Sequence, residues 1–324
     1  MSVSQATVGV VGTGGTIQNT ASGRISIATL LEEVVGEHGG RTLPSVIHDD
    51  IFTVASESFT PSDWVAIACR TQELATDPRV SGIVVTHGTY TAEETSYFLH
   101  LCVGTEKPIV VTCSQRLHGS LGNDGDRNLV DAIRVAASPQ ARALGCVLVA
   151  GEEIHSSREA TKTSQRPGGF NSGLFGPIGT VETDTVSIYR MPTRRHTTRS
   201  EFAARSVTAP LPRVEIVETY PGAAVQPLTA ALHDEAQGVV INGYTPRGLP
   251  TGEQSDLLAR AAETRRIPIV VVGRGRWGRV PKTDEAVPWI TGDNLSAYKA
   301  RILLMLGIAA EVRGRDLQRL FDEY

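Results

Sequence analysis

Three short segments of the chain carry side chains able to do hydrolytic chemistry. The first is Gly12-Thr13-Gly14-Gly15-Thr16-Ile17, directly after an apolar run. Glycines there let the backbone come close to a ligand and free amide N–H groups to face it. The second, Val84-Val85-Thr86-His87-Gly88-Thr89-Tyr90-Thr91, repeats the design: apolar run, glycine turn, hydroxyl cluster, helix start. The third is Ser157-Arg158-Glu159-Ala160-Thr161-Lys162-Thr163-Ser164, which sets a lysine among hydroxyls. A threonine hydroxyl is a weak nucleophile at neutral pH and needs a base beside it. A lysine in a low-dielectric pocket gives up its proton and can be that base. Amides at the turns can stabilise an oxyanion, one such donor being worth about 3–4 kcal/mol. Thr13, Thr16, Thr89 and Lys162 are therefore candidates for covalent hydrolysis. Each also has a plain structural reading: turn hydroxyls that satisfy backbone groups, and a solvated lysine.

The glycine turn invites a test for dinucleotide binding, and the test fails. Ile17 stands where the fingerprint needs Gly or Ala, and no acid ends a clear second strand about 20 residues on.

The segments need elements to carry them. Apolar, β-branched runs recur at 6–11, 82–86, 108–112, 146–150, 213–218, 238–241 and 268–272. They are nearly continuous rather than alternating, which marks strands covered on both faces. Helical patterns fall between them at 64–74, 92–102, 127–137, 228–235, 255–264 and 296–306. Pro61, Ser62 and Asp63 open the first, and Thr91 with Glu94 predicts a capping box on the second. Glu93 and Glu94 read as helix-start charges. Alternation of strand and helix predicts a doubly wound α/β architecture. The rhythm breaks around Arg194-Arg195-His196 and Arg199. That divides the chain into a larger N-terminal domain (1–190), a linker (191–212) and a smaller C-terminal α/β domain (213–324), with the basic cluster on a solvated linker.

Composition narrows the function classes. The 31 basic residues nearly balance 35 acidic ones, for a net charge of −4. That excludes a general nucleic-acid or anionic-membrane binder, whose affinity rests on clustered positive charge. The longest apolar runs are strand-length, so no membrane span is expected. Met1-Ser2-Val3-Ser4-Gln5 lacks a basic n-region, so no secretory signal is read and a cytoplasmic location is expected. Cys69, Cys102, Cys113 and Cys146 form no CxxC and read as small buried hydrophobes, with no metal site.

Taken together, the segments resemble the bacterial-type L-asparaginases, which include the glutaminase-asparaginases. The matching motifs are Thr13-Gly14-Gly15-Thr16-Ile17, Thr86-His87-Gly88-Thr89 followed by Glu93-Glu94-Thr95-Ser96-Tyr97-Phe98-Leu99, and Ala160-Thr161-Lys162-Thr163. His196-Thr197-Thr198-Arg199-Ser200 and Lys299-Ala300-Arg301-Ile302-Leu303-Leu304 extend the likeness essentially end to end. It implies a two-domain α/β fold with a mixed N-terminal sheet. It implies hydrolysis of a carboxamide to carboxylate and ammonia through a threonine acyl-enzyme, with no metal or organic cofactor. Thr16 matches the first-loop nucleophile, Thr89 the second catalytic threonine and Lys162 its lysine partner. Ser56 matches a serine that binds the substrate α-carboxylate, Glu57 a position that contacts the α-amino group, and Gly88 joins them in the substrate-binding turn. A homodimer or homotetramer with sites near the subunit interface is implied as well.

Departures from the family pattern fall on substrate recognition. The family motif reads His-Gly-Thr-Asp-Thr, and here Tyr90 replaces the aspartate that holds the substrate α-ammonium. Losing that charge-assisted bond costs roughly 2–5 kcal/mol unless Glu57 compensates or the substrate has no such group. The loop 18–27 lacks the family's tyrosine and carries Arg24, a bidentate partner for a carboxylate. In the C-terminal domain, substrate-contacting positions fall near Pro246-Arg247 and Asp284-Glu285. The expected activity is hydrolysis of L-asparagine or a related small amide. The alternatives are a non-amino-acid amide, imide or lactam as substrate, or a catalytically weak ligand-binding homologue.

Overall fold

A computed structural model of the chain describes residues 6–37, 43–202, 207–233, 236–250, 252–264, 267–275, 278–282 and 289–324. Two compact units emerge, Met1–Ser206 and Val207–Tyr324.

The first unit is built on an eight-stranded mixed sheet. Its strands are β1 (Thr7–Gly14), β2 (Ser45–Val54), β3 (Val80–Thr86), β4 (Ile109–Thr112), β5 (Cys146–Ala150), β6 (Glu153–Ser156), β7 (Gly179–Val181) and β8 (Val186–Ile188). The order is β8-β7-β6-β5-β4-β3-β1-β2. Strands from β2 to β5 run parallel, and β5 through β8 pair antiparallel. Val8, Val10, Val84 and Val110 face α1 (Ile27–Glu37) and α4 (Gly125–Ala137) in one apolar cluster. Gly9 faces the other way, against Leu74 of α2 (Pro61–Thr76). Helices α2 and α3 (Ala92–Cys102) thus cover the opposite face, which is why the strands read as unbroken apolar runs.

Five elements of this unit, β2, β6, β7, β8 and α1, lie outside the sequence expectations. Strand β2 contains the polar run His48-Asp49-Asp50 and sits at the sheet edge, half exposed. Helix α1 is capped locally by Ser26, whose Oγ accepts from the Thr29 amide at 3.0 Å, and also from a distance: its first amide, on Ile27, donates to Asp50 Oδ2 at 2.9 Å, a partner borrowed from β2.

Part of the expected linker is packed onto the first unit. His196, Thr197 and Phe202 are buried, and the His196 ring lies 4.8 Å from His100 of α3. Arg195 pairs with Glu201 at 3.2 Å, and Arg199 donates to the Arg194 carbonyl at 2.9 Å. The basic cluster therefore lies on packed chain rather than on a solvated tether.

The second unit is a four-stranded parallel sheet in the order β9 (Val214–Glu218), β10 (Gly238–Gly243), β11 (Ile269–Gly273), β12 (Ile290–Thr291). Helices α5 (Gln226–His233), α6 (Glu253–Thr264), α7 (Ala297–Ala309) and α8 (Arg315–Glu323) complete it. Val217, Leu228, Val239, Ile241, Leu258 and Val271 form its core. Among the described residues no helix is long and apolar enough to cross a membrane, and no group of three or more His, Cys, Asp or Glu could hold a metal ion. All four cysteines are free; Cys69 is exposed, against expectation, because its position on α2 faces solvent.

Candidate active site

The sheet order itself marks a place for a ligand. The chain leaves β1 toward β2 on one side and β3 toward β4 on the other. Strand order 2-1-3-4-5 opens a crevice beyond the carboxyl ends of β1 and β3. Both glycine turns emerge there, since Gly12 registers with Thr86.

In the first turn, Gly14 and Gly15 have φ of 89° and 84°. A Cβ on Gly15 would lie 2.4 Å from the Cα and N of Gly88, so only glycine lets the two turns touch. Thr16 follows, half-buried, at the start of a 3-10 turn, Thr16–Gln18. Thr13 faces inward and donates to the Thr86 carbonyl at 2.7 Å, so its hydroxyl is structural. Gln18 is fully buried and ties the turn together. Its Oε1 accepts from the Gly14 amide (2.8 Å) and the Thr86 hydroxyl (3.3 Å). Its Nε2 donates to Asp50 (2.9 Å) and the Ile25 carbonyl (3.2 Å). The sequence gives no sign of this role, because a glutamine after a glycine turn reads as polar loop.

In the second turn, the His87 ring is fully buried and packs edge-on against Phe59 at 5.0 Å. Nδ1 lies 2.8 Å from the Gly88 carbonyl and Nε2 2.9 Å from the Thr95 hydroxyl. A carbonyl only accepts, so Nδ1 carries the proton and Nε2 accepts from Thr95. Burial pushes this imidazole down to about 4, against the weaker pull of the Gly88 carbonyl. The ring thereby fixes the Gly88–Thr89 peptide, whose N–H points away from the ring.

Ser56 and Glu57 lie on a 3-10 turn, Ser56–Ser58, just beyond β2. Ser56 is 2% exposed, and its Oγ is buried with no hydrogen-bond partner among the described residues. A Cβ on Gly88 would come within 2.5 Å of that oxygen, which places Ser56 directly beside the second turn. Glu57 is exposed. The expected capping box on α3 is not formed. The Thr91 hydroxyl instead donates to the Ser56 carbonyl at 3.0 Å, fastening the two loops together.

Lys162 is carried on a two-residue strand, Thr161–Lys162, paired antiparallel with Phe170–Asn171 in a small ribbon separate from the main sheet. Its amide donates to Glu93 Oε2 at 3.0 Å. Glu93, read as a simple helix-start charge, is thus the anchor that holds the lysine backbone. The Lys162 Nζ donates to Thr89 Oγ1 at 2.7 Å and lies 4.9 Å over the Tyr90 ring. Burial lowers the tendency of this amine to hold its proton; the nearby Cys113 and Glu93 oppose that, but burial prevails.

Residues 16, 56, 88, 89, 90 and 162 therefore meet around the β1/β3 crevice. Arg24 is differently engaged. It is exposed on the small hairpin Asn19–Thr20/Gly23–Arg24, donating Nε to Asn19 Oδ1 (2.8 Å) and Nη1 to the Thr53 carbonyl. Pro246 and Arg247 lie on a turn of the second unit, and Asp284-Glu285 lies outside the described residues.

Comparison with known proteins identifies the family. The family model "Asparaginase, N-terminal" matches residues 7–194. The chain belongs to the asparaginase family. The "Glutaminase/Asparaginase C-terminal domain" model matches residues 213–321. A glutaminase-asparaginase of Pseudomonas aeruginosa is 32% identical over 323 residues, covering 97% of this chain and 88% of that protein. L-asparaginase 2 of Bacillus subtilis is 31% identical over 328 residues, covering 97% and 86%. A crystal structure of a probable cytoplasmic L-asparaginase from Campylobacter jejuni superposes with a TM-score of 0.91 at 28% identity, covering 98% of this chain and all of that one. Membership makes this asparaginase-family chain an amidohydrolase, acting on a linear amide C–N bond.

Proposed function

We propose that the protein hydrolyses L-asparagine, or a closely related small amide, through an acyl-enzyme on Thr16. The observation that carries this reading is the 2.7 Å contact between Lys162 Nζ and Thr89 Oγ1 beside the turn that bears Thr16. In the first half-reaction the Thr16 hydroxyl oxygen bonds to the amide carbon. Its proton passes to the Thr89–Lys162 pair, and the C–N bond breaks with return of a proton to the departing ammonia. In the second, the pair takes a proton from water, whose oxygen bonds to the acyl carbon; the bond from that carbon to the Thr16 oxygen breaks, the pair returns the proton to that oxygen, and the carboxylic acid leaves. Amides around Gly88 and Thr89 are the donors suited to the intermediate oxyanion. Ser56, with its open hydrogen-bonding capacity, suits a substrate carboxylate, and Glu57 a substrate ammonium. The first unit is the catalytic domain under this reading. A homodimer or homotetramer is supported by the family likeness, and a cytoplasmic location by the likeness to the probable cytoplasmic L-asparaginase of Campylobacter jejuni.

One observation favours a second substrate class. Position 90 carries no carboxylate, and the Tyr90 ring stands against Lys162 instead. That suits an amide, imide or lactam without an α-ammonium. Ammonia release from asparagine, glutamine and the monoamides of small dicarboxylic acids tests both readings. Turnover of asparagine supports the first, turnover of monoamides alone the second. No release from any amide by folded protein would leave a ligand-binding homologue.

A further inference from the structure

Two consecutive residues grip one amine. Thr89 is 7% exposed and accepts a hydrogen bond from Lys162 Nζ on the inner side. Tyr90 is 67% exposed, and its ring lies under the same nitrogen at 4.9 Å on the outer side. The backbone at Lys162 is fixed separately, by Glu93. At that exposure the ring contributes little packing, and one of its faces is turned to the amine. An aromatic face attracts an ammonium and not a neutral amine.

We propose that Tyr90 is a positioning residue for Lys162: its ring holds the ammonium against the Thr89 hydroxyl and decides how readily that amine gives up its proton. This rests on the reading of Lys162 as the base of an amide hydrolysis. The other groups that face the amine are Glu93 from α3 and the Cys113 thiol beyond β4. An aspartate at 90 would add a second carboxylate to Glu93 and hold the lysine charged more firmly. A neutral, polarisable ring steers the amine while tightening its hold on the proton less than a carboxylate would. Position 90 thus sets the acid limit of activity as well as the fit of the substrate.

The chain has four lysines, Lys107, Lys162, Lys282 and Lys299, so carbon-13 labelling at lysine Cε gives few signals, and Lys162→Met assigns the relevant one. Its pH titration is followed in the full-length protein and in Tyr90→Phe, Tyr90→Leu and Tyr90→Asp. Leucine keeps apolar cover but removes the π face; phenylalanine keeps the face. The expected order of Lys162 midpoints is Leu below Phe and Tyr, and Asp above them. The Leu–Phe gap is about 0.4–0.7 pH unit, the size of an exposed cation–π contact. The acid limb of kcat/KM for amide hydrolysis moves with it. A leucine variant that titrates with or above the phenylalanine variant overturns the proposal. Absence of amide hydrolysis by the parent enzyme would instead overturn the catalytic reading, and the titration would still judge the ring.

Discussion

The amine of Lys162 and the hydroxyl of Thr89, 73 positions apart in the chain, stand 2.7 Å from one another. Lysine is normally solvated and charged; here burial weakens its hold on the proton. A base and a hydroxyl at hydrogen-bond distance form one proton-moving unit.

Removing either member should therefore disable the same step. Thr89→Val and Lys162→Met are each expected to lower kcat by about 10²–10⁴, with unfolding midpoints close to that of the parent. The double variant should lose little more than either single one, since groups acting as a unit are non-additive. Steady-state ammonia release checks both; additive losses would mean the two residues act separately.

The contact between the two turns predicts a ranking of glycine variants. At Gly15 an added methyl meets fixed backbone at 2.4 Å, and φ is positive. At Gly88 it meets Ser56 Oγ at 2.5 Å, which can rotate aside, and Ser56 Cβ at 2.8 Å, which yields only if the short turn around Ser56 shifts. Gly15→Ala should cost more than about 3 kcal/mol, and Gly88→Ala about 1–3 kcal/mol. Gly88→Ala should also raise KM by displacing Ser56. Urea unfolding gives the stabilities, and equal losses at the two sites would contradict the described packing.

Acidification should destabilise the fold through its buried histidines. His87 and His196 are both held down to about 4, chiefly by burial. In the unfolded chain such groups titrate near ~6.5. Between those values the unfolded state binds more protons, so stability falls as pH drops from about 6.5 to about 4. His87 alone accounts for on the order of 3 kcal/mol across that interval. Urea midpoints measured from pH 7 to pH 4 should decline, and His87→Gln should flatten the slope.

His118 should behave in the opposite sense. Its ring nitrogens lie 2.7 Å from Asp126 and 2.7 Å from Glu33, and its amide donates to the Asn19 carbonyl beside the first turn. Burial opposes the charged form, but the two carboxylates together raise its pKa. The stability it supplies is complete below the ordinary histidine value and is lost as pH climbs through the raised one. Proton NMR should show the His118 ring titrating above other histidines and moving down in Glu33→Gln.

Much of the fold is legible because burial on both faces leaves its mark locally. The central strands and α3 follow directly from apolar runs and glycine turns, with 92–102 and 146–150 matching α3 and β5 to the residue. Strand β2 leaves no such mark, since an edge position tolerates His48-Asp49-Asp50, and Asp50 from that strand takes the first amide of α1, a contact that nothing near Ile27 in the sequence announces. Thr91 misleads for the same reason: its hydroxyl reaches Ser56, a partner 35 positions away, in place of its own helix.

By itself the sequence determined which chemical groups exist and where each turn must bend, because glycine conformations, strand burial and hydroxyl placement are local properties. Only the tertiary structure decided that Gln18 ties the first turn, that Glu93 anchors Lys162, that Ser56 lies open beside Gly88, and that the Tyr90 ring lies against the Lys162 amine. Those are contacts between segments brought together by strand order, and a contact energy between distant residues leaves no pattern along the chain.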